Sequence, residues 1–273
     1  MTGFRTPTLL RALRIGLLAG VAAVALAACA TDPTTTGSIG GTQSVGPSPD
    51  YSAMNRADAQ ANLQSLAGAY QAHPKDKATI IYYAAALRAE GQADQSIAVL
   101  EQGMAVHPQD NEIRIAYAKA LTAGGRFDQA LTVLDDTIQP DAPNWNALSV
   151  KGAVLDQMGH NEEAREIYAQ ALLIAPGEAS LEANMGLSYA MTNDLNAAEQ
   201  HLRRAVKMPG ATSQIRQNLA LVVGLQGRFD EARELFNREL APDQVEANMA
   251  YIRALLTQQN RWDVIEKGDA SEG

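Results

Sequence analysis

From about Asn55 the chain sets small, large and polar positions in a pattern that returns every 34 residues. Ala84, Ala118, Gly152, Gly186 and Ala220 share one phase and are all small. Three residues on, Leu87, Leu121, Leu155, Tyr189 and Val223 are apolar. Gly91, Gly125, Gly159, Asn193 and Gly227 follow, residues that tolerate positive φ. Ser96, Ala130, Ala164, Ala198 and Ala232 are small again; Leu100, Leu134, Tyr168, Leu202 and Phe236 are large. Each unit ends near proline: Pro108, Pro140 with Pro143, Pro176, Pro209 and Pro242. This pattern predicts one helical hairpin per unit. Small residues let two helices approach, large ones fill the gap, the turn former ends the first helix and proline stops the second. Five hairpins are expected, over 77–110, 111–144, 145–178, 179–212 and 213–244. Asn55 to Pro74 ends in register as a second helix and would cover the N-terminal face. At the other end "VEANMAYIRALLTQQNRWDVIE" echoes "LEANMGLSYAMTNDLNAAE" with a loop two residues longer. That echo predicts a cap that stops short and polar. The fold class expected is all-α, a solenoid over 55–266, with 267–273 as a disordered tail.

The first 28 residues break the pattern. Arg5, Arg11 and Arg14 are their only charges, and Ile15 to Ala28 is apolar and small. Fourteen helical residues rise about 21 Å, short of the ~30 Å hydrocarbon core. A basic start, a short apolar run and small residues at its end predict a secretory signal peptide. A short membrane anchor is the alternative. The run ends Leu26-Ala27-Ala28-Cys29, which is similar to a bacterial lipobox. The resemblance implies lipid transfer to the Cys29 sulfur, cleavage between Ala28 and Cys29, and acylation of the new amino group. Cys29 is the single cysteine, so no intrachain disulfide can form. A thioether would also remove an unpaired thiol from an oxidising compartment. Ala30, where Asp would imply inner-membrane retention, points to the periplasmic face of the outer membrane. Residues 30–54, rich in Thr, Gly, Ser and Pro, are read as a flexible tether spanning about 25–30 Å.

Composition narrows the function. Aromatic residues make up 5% of the chain, which favours helix over sheet. Loss of Arg5, Arg11 and Arg14 with the signal would take the net charge from −9 to −12. Such a chain lacks the basic footprint of a nucleic-acid binder. "GSIGG" lies in the tether with no strand before it, so it is no phosphate loop. No nucleophile–base motif is visible. His73 and His107 stand 34 residues apart and stacked units would separate them. His160 falls in a turn and His201 on a polar face, both expected to face solvent. Asp135-Asp136 and Glu162-Glu163 fall on exposed helix positions. No enzyme, metal, cofactor or small-molecule substrate is expected.

The repeat is similar to the tetratricopeptide repeat, most closely over Val150 to Pro176 and Gly224 to Phe236. The first unit is looser, with Ser96 and Gly103 where Ala is usual. A solenoid without chemistry offers a concave groove lined by the first helix of each hairpin. Just before the small phase sit Tyr82, Ala116, Val150, Asn184 and Asn218, with Asn248 in the cap. Asn184, Asn218 and Asn248 could form a ladder that donates to and accepts from the backbone of an extended peptide. Alternatively, each amide bonds a neighbouring helix. Asn146, Ser149, Leu187 and Leu221 complete the candidate groove. It carries no basic clamp for a carboxylate, and its small, mildly apolar surface suits a helix or an extended peptide.

Three stretches resemble one family. "RQNLALVVGLQGRFDEAREL" (Arg216 to Leu235), "LAPDQVEANMAYIRALLTQ" (Leu240 to Gln258) and "PDAPNWNALSVKGAVLDQMGH" (Pro140 to His160) are similar to TadD. That family comprises the repeat lipoproteins of the tight-adherence (Flp) pilus assembly systems. The lipobox, tether and repeat number match its layout. The resemblance implies a non-enzymatic part in pilus biogenesis at the outer membrane, with the secretin or another pilus-machine component as partner. The alternative is a general periplasmic scaffold for β-barrel assembly or for recruiting peptidoglycan enzymes.

Overall fold

A computed structural model of the chain describes residues 56–271, with side chains over 57–258. The signal, Cys29 and the tether lie outside the described residues. Twelve helices follow one another: α1 (Arg56–Ala72), α2 (Lys77–Ala89), α3 (Ala93–Val106), α4 (Asn111–Ala123), α5 (Phe127–Thr137), α6 (Trp145–Gln157), α7 (Asn161–Ile174), α8 (Ala179–Met191), α9 (Leu195–Ala205), α10 (Ser213–Leu225), α11 (Phe229–Asn237) and α12 (Pro242–Ser271). From α2 to α11 they pair as five hairpins, each inside the unit that the 34-residue period marks out. The second helix of each hairpin packs on the first helix of the next, and successive first helices also touch. The result is an all-α solenoid with α1 against α2 and α12 against α10 and α11.

Residues at repeat phase close the C-terminal end of every first helix and the N-terminal end of four of the five. Asp76, Asp110, Asn144 and Thr212 accept hydrogen bonds from amides of the first turn, satisfying donors the helix cannot. Hydrogen bonds from the Thr79 hydroxyl and amide hold the Asp76 carboxyl below its ordinary range. Glu178, at the same phase before α8, makes no such bond. At the far end the φ angles of Gly91, Gly125, Gly159, Asn193 and Gly227 run from 62° to 83°. The next amide then turns back onto the carbonyl five residues earlier: Gln92 to Leu87, Arg126 to Leu121, His160 to Leu155, Asp194 to Tyr189 and Arg228 to Val223. These bonds cover carbonyls the ending helix leaves free.

The small phase works as expected. A Cβ on Gly186 would lie 2.9 Å from Leu202 Cγ and 3.0 Å from the Ala198 carbonyl. In the loose first unit, a Cβ on Gly103 would meet Ile80 Cγ2 at 2.8 Å, so glycine there lets a bulkier neighbour in.

The C-terminal cap differs from the echo. No loop interrupts it: α12 is one helix of 30 residues, running through Ser271 into the span expected as a tail. The physical reason lies at Thr257, thirty residues after Gly227 in the register that matches Asn248 with Asn218. Without a residue suited to positive φ, the backbone continues as helix. Val245, Met249 and Ile252 are buried against α10 and α11. Leu256, one turn on, packs at the edge of the same core, and beyond it the sequence turns polar with Gln258, Gln259 and Asn260, so it stops offering a surface for another hairpin.

Candidate functional site

The candidate groove faces away from each hairpin's second helix, and its openness varies along the solenoid. On α10, Gln214, Gln217, Leu221 and Leu225 are half-buried and recur at helical spacing, with Asn218 along their edge. On the neighbouring α12 the matching stripe is Gln244, Ala247, Asn248, Tyr251 and Leu255. Tyr251 is 40% exposed. On α8 two of the corresponding positions, Ala183 and Leu187, are buried, while Ser180 and Met191 are half-buried. Every residue from Leu181 to Ser188 is buried, including Ala183, Asn184 and Leu187. This helix is flanked by α6 on one side and α10 on the other, and it is apolar nearly all round.

The ladder residues are therefore placed unequally. Asn184 is 4% exposed, and its Nδ2 donates to Ser149 Oγ of α6 at 3.1 Å. Its Oδ1 is buried without a partner among the described residues. Asn218 is 2% exposed and accepts from Gln214 Nε2 at 2.9 Å. Asn248 is half-buried and donates to the Gln244 carbonyl at 2.8 Å. Asn146 sits half-buried in the first turn of α6, and Leu221 packs at the edge of the C-terminal core. The structure joins Asn184 to Ser149 but presents no row of three free amides. Over α10 and α12 the groove phases hold half-buried Leu221, Leu225 and Leu255 and the exposed Tyr251, together with Gln214, Gln217 and Asn248.

His201 departs from the sequence reading. It is not solvent-facing: its Nδ1 lies 2.7 Å from Glu182 Oε2 and its ring stacks on Tyr189 at 5.3 Å. Arg204 pairs with the same carboxylate at 3.1 Å. Glu182 and Tyr189 are supplied by α8, contacts that one helix's polarity pattern cannot reveal. His107 Nε2 donates to the Lys75 carbonyl at 2.8 Å, tying one inter-repeat loop to the next.

Sequence reasoning missed Asp156, a carboxyl group buried among α6, α7 and α8. Its signal was an acid inside the apolar run "GAVLDQMG". Among the described residues no group of three or more His, Cys, Asp or Glu could hold a metal ion. Nor is any helix among them long and apolar enough to cross a membrane.

Comparison with known proteins gives the class. Tetratricopeptide-repeat models match residues 87–151, 146–178 and 183–245, together more than half of the 273 residues. The chain is a tetratricopeptide-repeat solenoid. It is 32% identical over 96 residues to human tetratricopeptide repeat protein 36, a match covering 34% of this chain and 51% of that protein. The chain thus spans about half the length of that curated relative. Among solved structures, TTC0263 of Thermus thermophilus, a thermophilic TPR protein, is similar with a TM-score of 0.57 and 22% identity, over 64% of this chain and 97% of that one. A human IFIT1 dimer with PPP-AAAA is similar with a TM-score of 0.55 and 17% identity, over 72% and 50% respectively. At such identities the structures share the fold alone. That fold is generally a non-catalytic scaffold that binds peptides or other proteins.

Proposed function

We propose that this chain is a non-enzymatic lipoprotein scaffold of the tight-adherence pilus system, held to the periplasmic face of the outer membrane through Cys29. Its concave strip takes a peptide or helix from a pilus-machine component, the secretin first among them. One observation carries the reading. The family-like stretches Arg216 to Leu235 and Leu240 to Gln258 fall on α10, α11 and the first part of α12, where Leu221, Leu225 and Leu255 are half-buried and Tyr251 is exposed. An apolar strip edged by Gln and Asn fits an amphipathic helix or an extended segment, since amides can meet backbone groups while Leu and Tyr take apolar side chains. Lipid at Cys29 fixes the place of work, and the tether gives the solenoid reach.

Deletion of the gene in its native host, with imaging of pili and of secretin multimers, tests this role. Loss of surface pili and a fall in assembled secretin are expected, both restored by the intact gene. Unchanged pili and multimers would overturn the pilus role and leave a scaffold for some other envelope process.

A further inference from the structure

In all five hairpins the small phase of the first helix is buried: Ala84, Ala118, Gly152, Gly186 and Ala220. The second helix of the same hairpin does much of the covering. Ser96 of α3 donates to the Ala84 carbonyl at 2.8 Å. A Cβ on Gly152 would meet Tyr168 of α7, and one on Gly186 would meet Leu202 and Ala198 of α9. Glu182, a turn before Gly186, is covered likewise. His201 and Arg204 of α9 engage its carboxylate, and its side chain is 12% exposed.

The start of α12 has the sequence of a sixth first helix. "EANM" at 246–249 repeats 182–185, and in that register Ala250 stands for Gly186 and Glu246 for Glu182. Neither is covered. Ala250 is exposed, as are Ala254 and Thr257 further along the same flank. Glu246 pairs with Arg233 of α11, yet its side chain is 63% exposed. The stripe that meets α10 and α11 runs from Val245 to Leu256, but the flank beside it, where the other first helices carry their second, lies open. The missing helix is present as sequence. Arg126-Phe127-Asp128 opens α5 and Arg228-Phe229-Asp230 opens α11, each just after the turn former. The same run recurs as Arg261-Trp262-Asp263. Here the backbone does not turn. α12 passes through Thr257 and carries this stretch onward as helix to Ser271. A continuous helix cannot fold back on its own flank, so within one copy the two halves of the sixth hairpin cannot meet. Residues 258–271 would rise about 20 Å, the length of a second helix. A helix of that length is marginal in water without packing.

We propose that two copies of this chain pair by exchanging this half-hairpin: the part of each α12 beyond Thr257 lies as a second helix on the Ala250–Ala254 flank of the other. The two helices run antiparallel about a two-fold axis near residues 257–260. One symmetric contact covers both flanks, each copy giving what it receives. Small residues at 250 and 254 allow the close approach the hairpins use. Arg253, also exposed, stands where Val223 stands in hairpin five. The exchanged stretch carries Asp263, Glu266 and Asp269 against Lys267, so its charge suits a flank bearing that arginine. Asn248 and Leu255 lie on the other side of α12, so pairing leaves the concave groove to its own partner. None of this depends on what binds there.

Sedimentation velocity of the intact mature chain, with Cys29→Ser to keep it free of lipid, reads the pairing. The mass of two chains is expected. Ala250→Glu puts a charge on the flank at an exposed helical position that glutamate suits. It is expected to halve the mass and leave helical circular dichroism unchanged. Thr257→Cys then carries the only thiol of each chain, close to the two-fold axis. A short bifunctional thiol reagent is expected to join two chains through it, and to join none in Leu173→Cys, where the native residue is 86% exposed on hairpin three. A single-chain mass in the parent protein would overturn the pairing. So would a pair that survives Ala250→Glu, or one that crosslinks through 173 and not through 257, since either places the contact elsewhere.

Discussion

Replacing Gly152 by alanine is expected to lower the free energy of unfolding by about 3 kcal/mol, worth roughly 6–12 °C in Tm. A Cβ there would stand 2.5 Å from Tyr168 Cε1 and 2.8 Å from Cδ1 and Cζ. Tyr168 has no room to retreat: it is fully buried, and its hydroxyl is tied to Asp156 at 3.0 Å. Alanine is the better helix former by about 1 kcal/mol, but the overlap outweighs that gain. Gly68 supplies the control. It lies in α1 with nothing within 4 Å of an added Cβ, so Gly68→Ala is expected to stabilise by about 0.5–1 kcal/mol. Urea unfolding followed by helical circular dichroism reads both. Because neighbouring hairpins couple mainly to one another, the Gly152 loss is expected to be greatest in hairpins two to four. A stable Gly152→Ala protein would mean that the close approach of α6 and α7 is not what holds this unit together.

The second large effect concerns place. Cys29→Ser is expected to move the protein from the membrane pellet to the soluble fraction of the envelope. Serine offers no sulfur for the thioether, so no lipid can be installed, and cleavage at the small residues that end the signal leaves a chain without an anchor. Each buried methylene adds about 0.8 kcal/mol, and stable anchoring needs more than one chain, which acylated Cys29 would supply. Nothing else would replace it electrostatically, since a chain at −12 without its signal is repelled by anionic headgroups. Fractionation with a salt wash and a detergent extraction distinguishes the cases. Continued membrane association of Cys29→Ser would show that an uncleaved N-terminal helix or a partner holds the protein.

Much of the fold was legible because its causes are local and repeated. A hairpin needs a small residue, a large one and a turn former at fixed offsets, and the 34-residue period displays all three. The caps at Asp76, Asp110, Asn144 and Thr212 fall on that period as well. The site was less legible because its causes are not local. Asn184 and Leu187 sit at groove phases, yet flanking helices bury them. Asn184 and Asn218 look like a ladder in the sequence, but Ser149 and Gln214 engage them inside the molecule. Asp156 meets Ser188 across 32 residues, a contact that no single hairpin contains. At the C-terminus the echo of "EANM" suggested another turn, but Thr257 stands where a turn former was needed.

The central claim is that the concave strip over α10 and α12 engages a pilus-machine component. In-cell crosslinking from a photo-reactive residue placed at Leu221 tests it most directly. Leu173, 86% exposed on the second helix of hairpin three, serves as the reference position. The expected result is an adduct with the secretin or another pilus component from position 221 and none from 173. Capture of that component from 173 alone, or no adduct from either position in piliated cells, would contradict the account.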